Sequence, residues 1–199
     1  VMSAEEQRIR VVVCPGIHDR QLTQQFIEGL LTTGEKRLQP ASWLVFPADR
    51  YPAYSGLHIL RFLHEKLSGH SPDAALCTPL ILIGFSAGVV GAVSAACGWR
   101  SLGGVVKALI AIDGWGVPLV GNFPMHRMSH DAFTHWSSAF LGAGEDSFYA
   151  DPSVGHLDLW RSPQTAAGYW VKPGSSNLPT GTSAATFLTA LLRNYEALL

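Results

Sequence analysis

Leu80-Ile81-Leu82-Ile83-Gly84-Phe85-Ser86-Ala87-Gly88-Val89-Val90-Gly91-Ala92 is the stretch on which the fold turns. Its first four residues form a wholly apolar, β-prone run, and from Ala87 to Ala96 the chain changes to small residues. No charge interrupts Leu80 to Trp99, so hydropathy by itself would make this a candidate membrane span. Gly84, Gly88, Gly91, Gly98, Ser86 and Ser94 argue otherwise, and so does the change of character midway. A fully buried strand followed by a buried helix explains that change, whereas one continuous spanning helix does not. No membrane span is expected.

Outward from this unit, short apolar runs alternate with segments of helical period. Upstream, Ile9 to Cys14 reads as a first strand ended by Pro15-Gly16, and Ser42 to Phe46 as a second ended by Pro47. Gln21 to Leu31 and Gly56 to Leu67 carry helical stripes, Leu22/Phe26/Leu30 and Leu57/Leu60/Leu63/Leu67, both read as core-facing. Leu80 to Ile83 is then the third strand and Val105 to Ile112 the fourth. Met125 to Ser129 and Ser147 to Tyr149 are the fifth and sixth, with a helix over Ala132 to Leu141 between them. Ala184 to Leu199 closes the chain as an amphipathic helix.

Strands alternating with helices imply βαβ units. The expected fold is a single α/β domain spanning residues 1–199. It is a three-layer sandwich with a mainly parallel sheet of about six strands and helices on both faces.

Bulk composition narrows the function classes. At 47% hydrophobic residues the chain has material for a substantial core, and at 15% charged residues it is poorer in charge than the roughly 25% of ordinary soluble domains. A net charge of −1, with basic residues scattered, offers no electrostatic footprint for nucleic acid. Cys14, Cys77 and Cys97 show no CxxC spacing, and Val1 to Arg10 is too polar for a signal peptide. A cytoplasmic setting is the expectation that follows.

Gly84-Phe85-Ser86-Ala87-Gly88 reads G-x-S-x-G, directly after an apolar strand and directly before a small-residue helix. In that context the serine sits on a sharp, strained turn with its hydroxyl exposed at the carboxyl end of the sheet. The flanking glycines remove side chains that would collide where strand and helix approach. A serine hydroxyl is a weak nucleophile alone and needs a base, and the base needs an orienting carboxylate. On such an elbow the acid and then the histidine follow the serine in the chain.

That order leaves His126, His130, His135 and His156 as candidate bases. His156 is preferred because it follows the sixth strand in a turn-like run whose Gly155 lets the chain bend back toward Ser86. For the acid, Asp131 at the end of the fifth strand is preferred over Asp113 at the end of the fourth. The expected oxyanion-hole donors are the backbone amides of Ala87 and of Ile17, in the loop after the first strand. His126, His130 and His135 have spacings a metal would accept only if helical, and they read as solvated or hydrogen-bonding groups. Asp19 reads as a lining residue or a helix cap.

At these residues, Pro15-Gly16, Gly84 to Gly88, Asp131 with Phe133 and Trp136, and Gly155-His156, the sequence resembles the α/β-hydrolase superfamily. The resemblance implies a small, lidless serine esterase or lipase-like core without the first hairpin. It further implies hydrolysis of a small or medium carboxylic ester or thioester through an acyl-serine intermediate, with no cofactor and no metal. Tyr51, Tyr54, Trp115 and Phe123 are placed where an aromatic pocket for an acyl or aryl group would form. Two other classes share these features: an acyltransferase using the same triad, and a noncatalytic binding module that keeps only the fold.

Overall fold

The computed structural model describes residues 8–33, 43–69, 72–174 and 178–196. Ser42, expected to open the second strand, and the last three residues of the expected closing helix lie outside the described residues. Eight strands and seven helices follow one another along these segments. In chain order they are β1 (Arg10–Cys14), α1 (Arg20–Leu31), β2 (Trp43–Val45), α2 (Gly56–Leu67), α3 (Pro72–Cys77), β3 (Leu80–Phe85) and α4 (Ala87–Ser101). There follow β4 (Val106–Ile112), β5 (Met125–Ser129), α5 (Ala132–Ala139), β6 (Ser147–Ala150), α6 (His156–Arg161), β7 (Ala167–Val171), β8 (Thr180–Ser183) and α7 (Ala184–Glu196).

The strands form one sheet in the order β2-β1-β3-β4-β5-β6-β7-β8. Neighbours from β2 to β6 are parallel, and β6-β7 and β7-β8 are antiparallel. The expected six strands are therefore eight. The two extra ones, β7 and β8, come from a stretch whose exposed residues interrupt any apolar run, as befits the edge of a sheet. Sequence reading also passed over α3 and α6, each only six residues long and too short to show a period.

The central strands are buried on both faces, which explains their uninterrupted apolar runs. Their side chains alternate between two clusters. Val11, Val13, Ile81, Ile83, Ile110 and Ile112 pack with Phe26 and Leu30 of α1, Trp160 of α6 and Phe187 and Leu188 of α7. Val12, Cys14, Leu80, Leu82, Leu109 and Ala111 pack with Ile59 and Leu63 of α2 and Val89, Ala92 and Ala96 of α4. The Leu stripe of α2 is only partly a core face: Leu63 is buried, but Leu57 is 65% exposed and Ile59 takes the inner position. No helix of the described residues is long and apolar enough to cross a membrane, and Leu80 to Trp99 divides into β3 and α4.

The chain leaves β1 toward β2 on one side and returns to β3 on the other. Connections thus diverge above β1 and β3, and the crevice at their carboxyl ends is where ligands bind in open parallel sheets. The loop after β1 and the turn after β3 meet there.

Candidate active site

Ser86 links β3 to α4 with φ 53° and ψ −123°, a backbone conformation that L side chains rarely adopt. The two glycines around it are required by close approach. A Cβ on Gly84 would lie 2.8 Å from Val89 Cα, and one on Gly88 would sit on the Cys14 carbonyl oxygen and 2.5 Å from that of Pro15. The strand, the helix and the loop after β1 therefore close around the serine with no room for side chains. Gly16 completes the contact, since a Cβ there would lie 3.1 Å from Ser86 Cβ. The Ser86 hydroxyl makes no capping bond to the helix it starts, and the residue is partly exposed.

Ser86 and Ala87 line a cavity of about 350 Å³ together with Asp113, His130 and His156, and Val90, Trp115 and Val117 supply its apolar wall. His156 is the first residue of α6, entered through Gly155, and its Nδ1 donates to Asp113 Oδ2 at 2.8 Å. With that proton on Nδ1, the neutral ring keeps an acceptor at Nε2. The ring is also held from its face. Phe85 stacks on it at 4.7 Å, Trp160 stacks on Phe85 at 4.7 Å, and Phe26 stacks on Trp160 at 3.8 Å. Phe85 is the residue immediately before the serine, so the elbow itself carries the first ring of the column.

The carboxylate beside His156 is Asp113, which corrects the preference for Asp131. Asp113 follows β4, the strand next to β3, so its side chain reaches the crevice beside Ser86. It too has a positive φ, 50°, and its side chain is only 1% exposed. Three donors satisfy it: the His156 ring, the His130 ring at 2.9 Å to the same Oδ2, and the His130 amide at 2.8 Å to Oδ1.

Asp131 instead caps α5, its Oδ1 accepting from the Thr134 amide at 2.6 Å, while its Oδ2 lies 3.4 Å from His130 Nε2. Burial alone would raise the Asp131 pKa. The Thr134 amide and hydroxyl and then His130 outweigh it, and the group ionises below the usual carboxylate range.

Ala87 lies in the cavity wall at the first turn of α4, where backbone N–H groups have no intrahelical acceptor. Ile17 follows β1 as expected, but its side chain is 78% exposed and the loop touches the serine through Gly16. Of the aromatic residues expected around the pocket, only Trp115 lines this cavity, and its indole N–H donates to Ser137 Oγ at 3.2 Å. Tyr51 lines a separate cleft with Arg61 and Lys66, Phe123 is buried, and Tyr54 is exposed. Asp19 caps α1, accepting from the Gln21 amide at 2.8 Å.

The role of His130 was missed. Its signal lies in pairing and not in sequence: Ile112 stands opposite Met128, which brings the residues just past the ends of β4 and β5 together. His126 and His135 do not line this cavity. His126 Nε2 is 2.7 Å from the Tyr195 hydroxyl, and burial lowers its pKa. Burial first, and then the charge of Arg127, push His135 down to about 4. Arg127 is itself buried. It donates to the carbonyls of Val117, Leu141 and Gly142 and so fixes the segment that carries one cavity wall.

No known family model matches this chain, and no curated protein sequence matches it.

Proposed function

We propose that this protein is a serine hydrolase of the α/β-hydrolase kind, cleaving a small or medium carboxylic ester or thioester. One observation carries the reading. Ser86 sits in a strained corner and shares a cavity with His156, whose Nδ1 is bonded to the buried Asp113. A strained, partly exposed serine beside an oriented imidazole is the arrangement that nucleophilic catalysis requires.

In the proposed reaction the Ser86 oxygen attacks the carbonyl carbon while His156 Nε2 takes its proton. The tetrahedral oxyanion is met by the Ala87 amide and a second amide from the loop after β1, for which Ile17 remains the candidate. The carbonyl re-forms, the carbon–oxygen or carbon–sulfur bond of the leaving group breaks, and His156 returns the proton to the departing alkoxide or thiolate. Water then attacks the acyl-serine by the same route. Asp113 holds the imidazole in the tautomer that accepts at Nε2 and stabilises the charge it gains. Val90, Trp115 and Val117 favour an apolar group against the reacting centre.

A three-layer architecture belongs to the same proposal, supported by the two clusters into which strand side chains alternate. So does a cytoplasmic setting, supported by three cysteines that are all free.

A fluorophosphonate probe and p-nitrophenyl esters of increasing acyl length test the reading. Labelling and turnover by the wild type, both lost in Ser86→Ala with its thermal melt retained, support it. A folded wild type that neither labels nor turns over any ester would overturn it.

A further inference from the structure

We propose that Asp113, His130 and His156 also form a Zn²⁺ site, and that an ion bound there shuts off the serine's base. Binding itself does not need the hydrolase reading; the shut-off does. Both imidazole Nδ1 atoms converge on Asp113 Oδ2, at 2.9 and 2.8 Å, and the three potential ligand atoms lie within 4.8 Å of one another. Zinc bonds of about 2.0–2.1 Å in tetrahedral geometry space N and O ligands at about 3.3 Å, so each nitrogen–oxygen gap must open by about half an ångström, and the two nitrogens, within 4.8 Å of each other, must settle at that same spacing.

Two imidazoles and a carboxylate form a donor set that suits this borderline ion. The histidine side chains are 25% and 42% exposed, so the ion has a route in from the cavity, and water can fill a fourth position.

Asp131 supplies the part that distinguishes a metal site from a chance cluster. Histidine ligands usually donate their other ring N–H to an outer carboxylate, which fixes the tautomer. His130 Nε2 lies 3.4 Å from Asp131 Oδ2.

The proton count closes. Without metal, each ring carries its proton on Nδ1 and donates it to Asp113. Zinc takes the Nδ1 lone pair, and the same proton moves to Nε2, so none is lost. On His130 it then points to Asp131. On His156 it occupies the nitrogen that must accept from Ser86, and turnover stops.

Titration of the full chain with Zn²⁺ against a chromogenic chelator tests the site. One ion should bind with a Kd of about 10 µM or tighter. His130→Gln should weaken it by about a hundredfold or more, and Asp131→Ala by about tenfold. Cys77→Ser, which removes the exposed thiol, should leave it unchanged.

Thermal melts with and without the ion give a second readout in each variant: the zinc-induced rise in Tm should vanish in His130→Gln. An affinity weaker than about 10 µM, or one unchanged in His130→Gln, overturns the site. In the ester assay, saturating zinc should abolish turnover and EDTA restore it; full activity at saturating zinc overturns the shut-off. Zinc binding by a protein silent toward both esters and fluorophosphonate would leave the metal site standing and sink the hydrolase reading.

Discussion

Asp113→Asn replaces one carboxylate oxygen by an NH₂ group at nearly constant volume, and the structure fixes what that exchange does. All three partners of Asp113 are donors: the two imidazole Nδ1–H groups on Oδ2 and the His130 amide on Oδ1. Asparagine offers a single acceptor oxygen. If that oxygen faces the imidazoles, its NH₂ meets the His130 N–H in a pocket where the side chain is 1% exposed, at a cost of about 1–3 kcal/mol in stability. If the amide turns round, the NH₂ faces both rings and forces His156 into the tautomer protonated at Nε2.

In serine triads the wrong tautomer costs about four orders of magnitude in turnover. That is about 5.5 kcal/mol of transition-state stabilisation. The expected kcat for p-nitrophenyl ester hydrolysis therefore falls by about 10³–10⁴ in Asp113→Asn. Asp131→Asn should behave differently, because asparagine caps a helix as well as aspartate does. Activity within about threefold of wild type and a stability change below about 0.5 kcal/mol are expected there. Steady-state kinetics with a thermal melt on each variant separate the two carboxylates. A crippled Asp131→Asn beside a nearly active Asp113→Asn would refute the assignment of the acid.

Three further outcomes follow from the geometry. Ser86→Gly removes the side chain from a positive-φ corner and should raise stability by about 1 kcal/mol in chemical denaturation while abolishing ester turnover; a lower midpoint would contradict the strain. Gly88→Ala pushes a methyl group into the carbonyls of Cys14 and Pro15 and should cost about 2 kcal/mol or more, with activity lost as the loop after β1 shifts. Gly181→Ala, where a Cβ meets nothing within 4 Å, is the neutral comparison. His135 has a folded pKa of about 4, below its ordinary 6.5, so the unfolded chain binds the extra proton between those values. Its contribution is intact above about pH 6.5 and is lost as pH falls toward 4, by on the order of 3 kcal/mol. His135→Gln should flatten that part of a plot of stability against pH, and an unchanged slope would show that His135 is not its source.

Residue order was enough to place the elements that build the site. Leu80 to Ile83 is apolar on every position because β3 is covered on both faces, and the glycines at 84 and 88 announce the corner because nothing larger fits. Gly155 before His156 has an ordinary extended backbone, φ −67° and ψ 147°, so the bend there does not depend on its being glycine. Gly84 answers to Val89, close in the chain, whereas Gly88 answers to the carbonyls of Cys14 and Pro15, far from it in sequence; both constraints nonetheless leave a glycine that is visible in the sequence.

Which carboxylate meets His156 was not of that kind. Asp113 and Asp131 both follow apolar strands, and both read as edge residues. Only the lateral order β3-β4-β5 puts the first beside the serine's strand, and only the start of α5 draws the second into a cap. His130 came to Asp113 through strand pairing, and Phe85, Trp160 and Phe26 came to support His156 through stacking across the core. β7 and β8 stayed hidden for a related reason, since a sheet edge has little apolar surface to bury and leaves a faint pattern. Chain composition dictates what a segment must bury. Which segments then become neighbours depends on the pairing of strands distant in the chain, and that is settled only when the whole sheet closes.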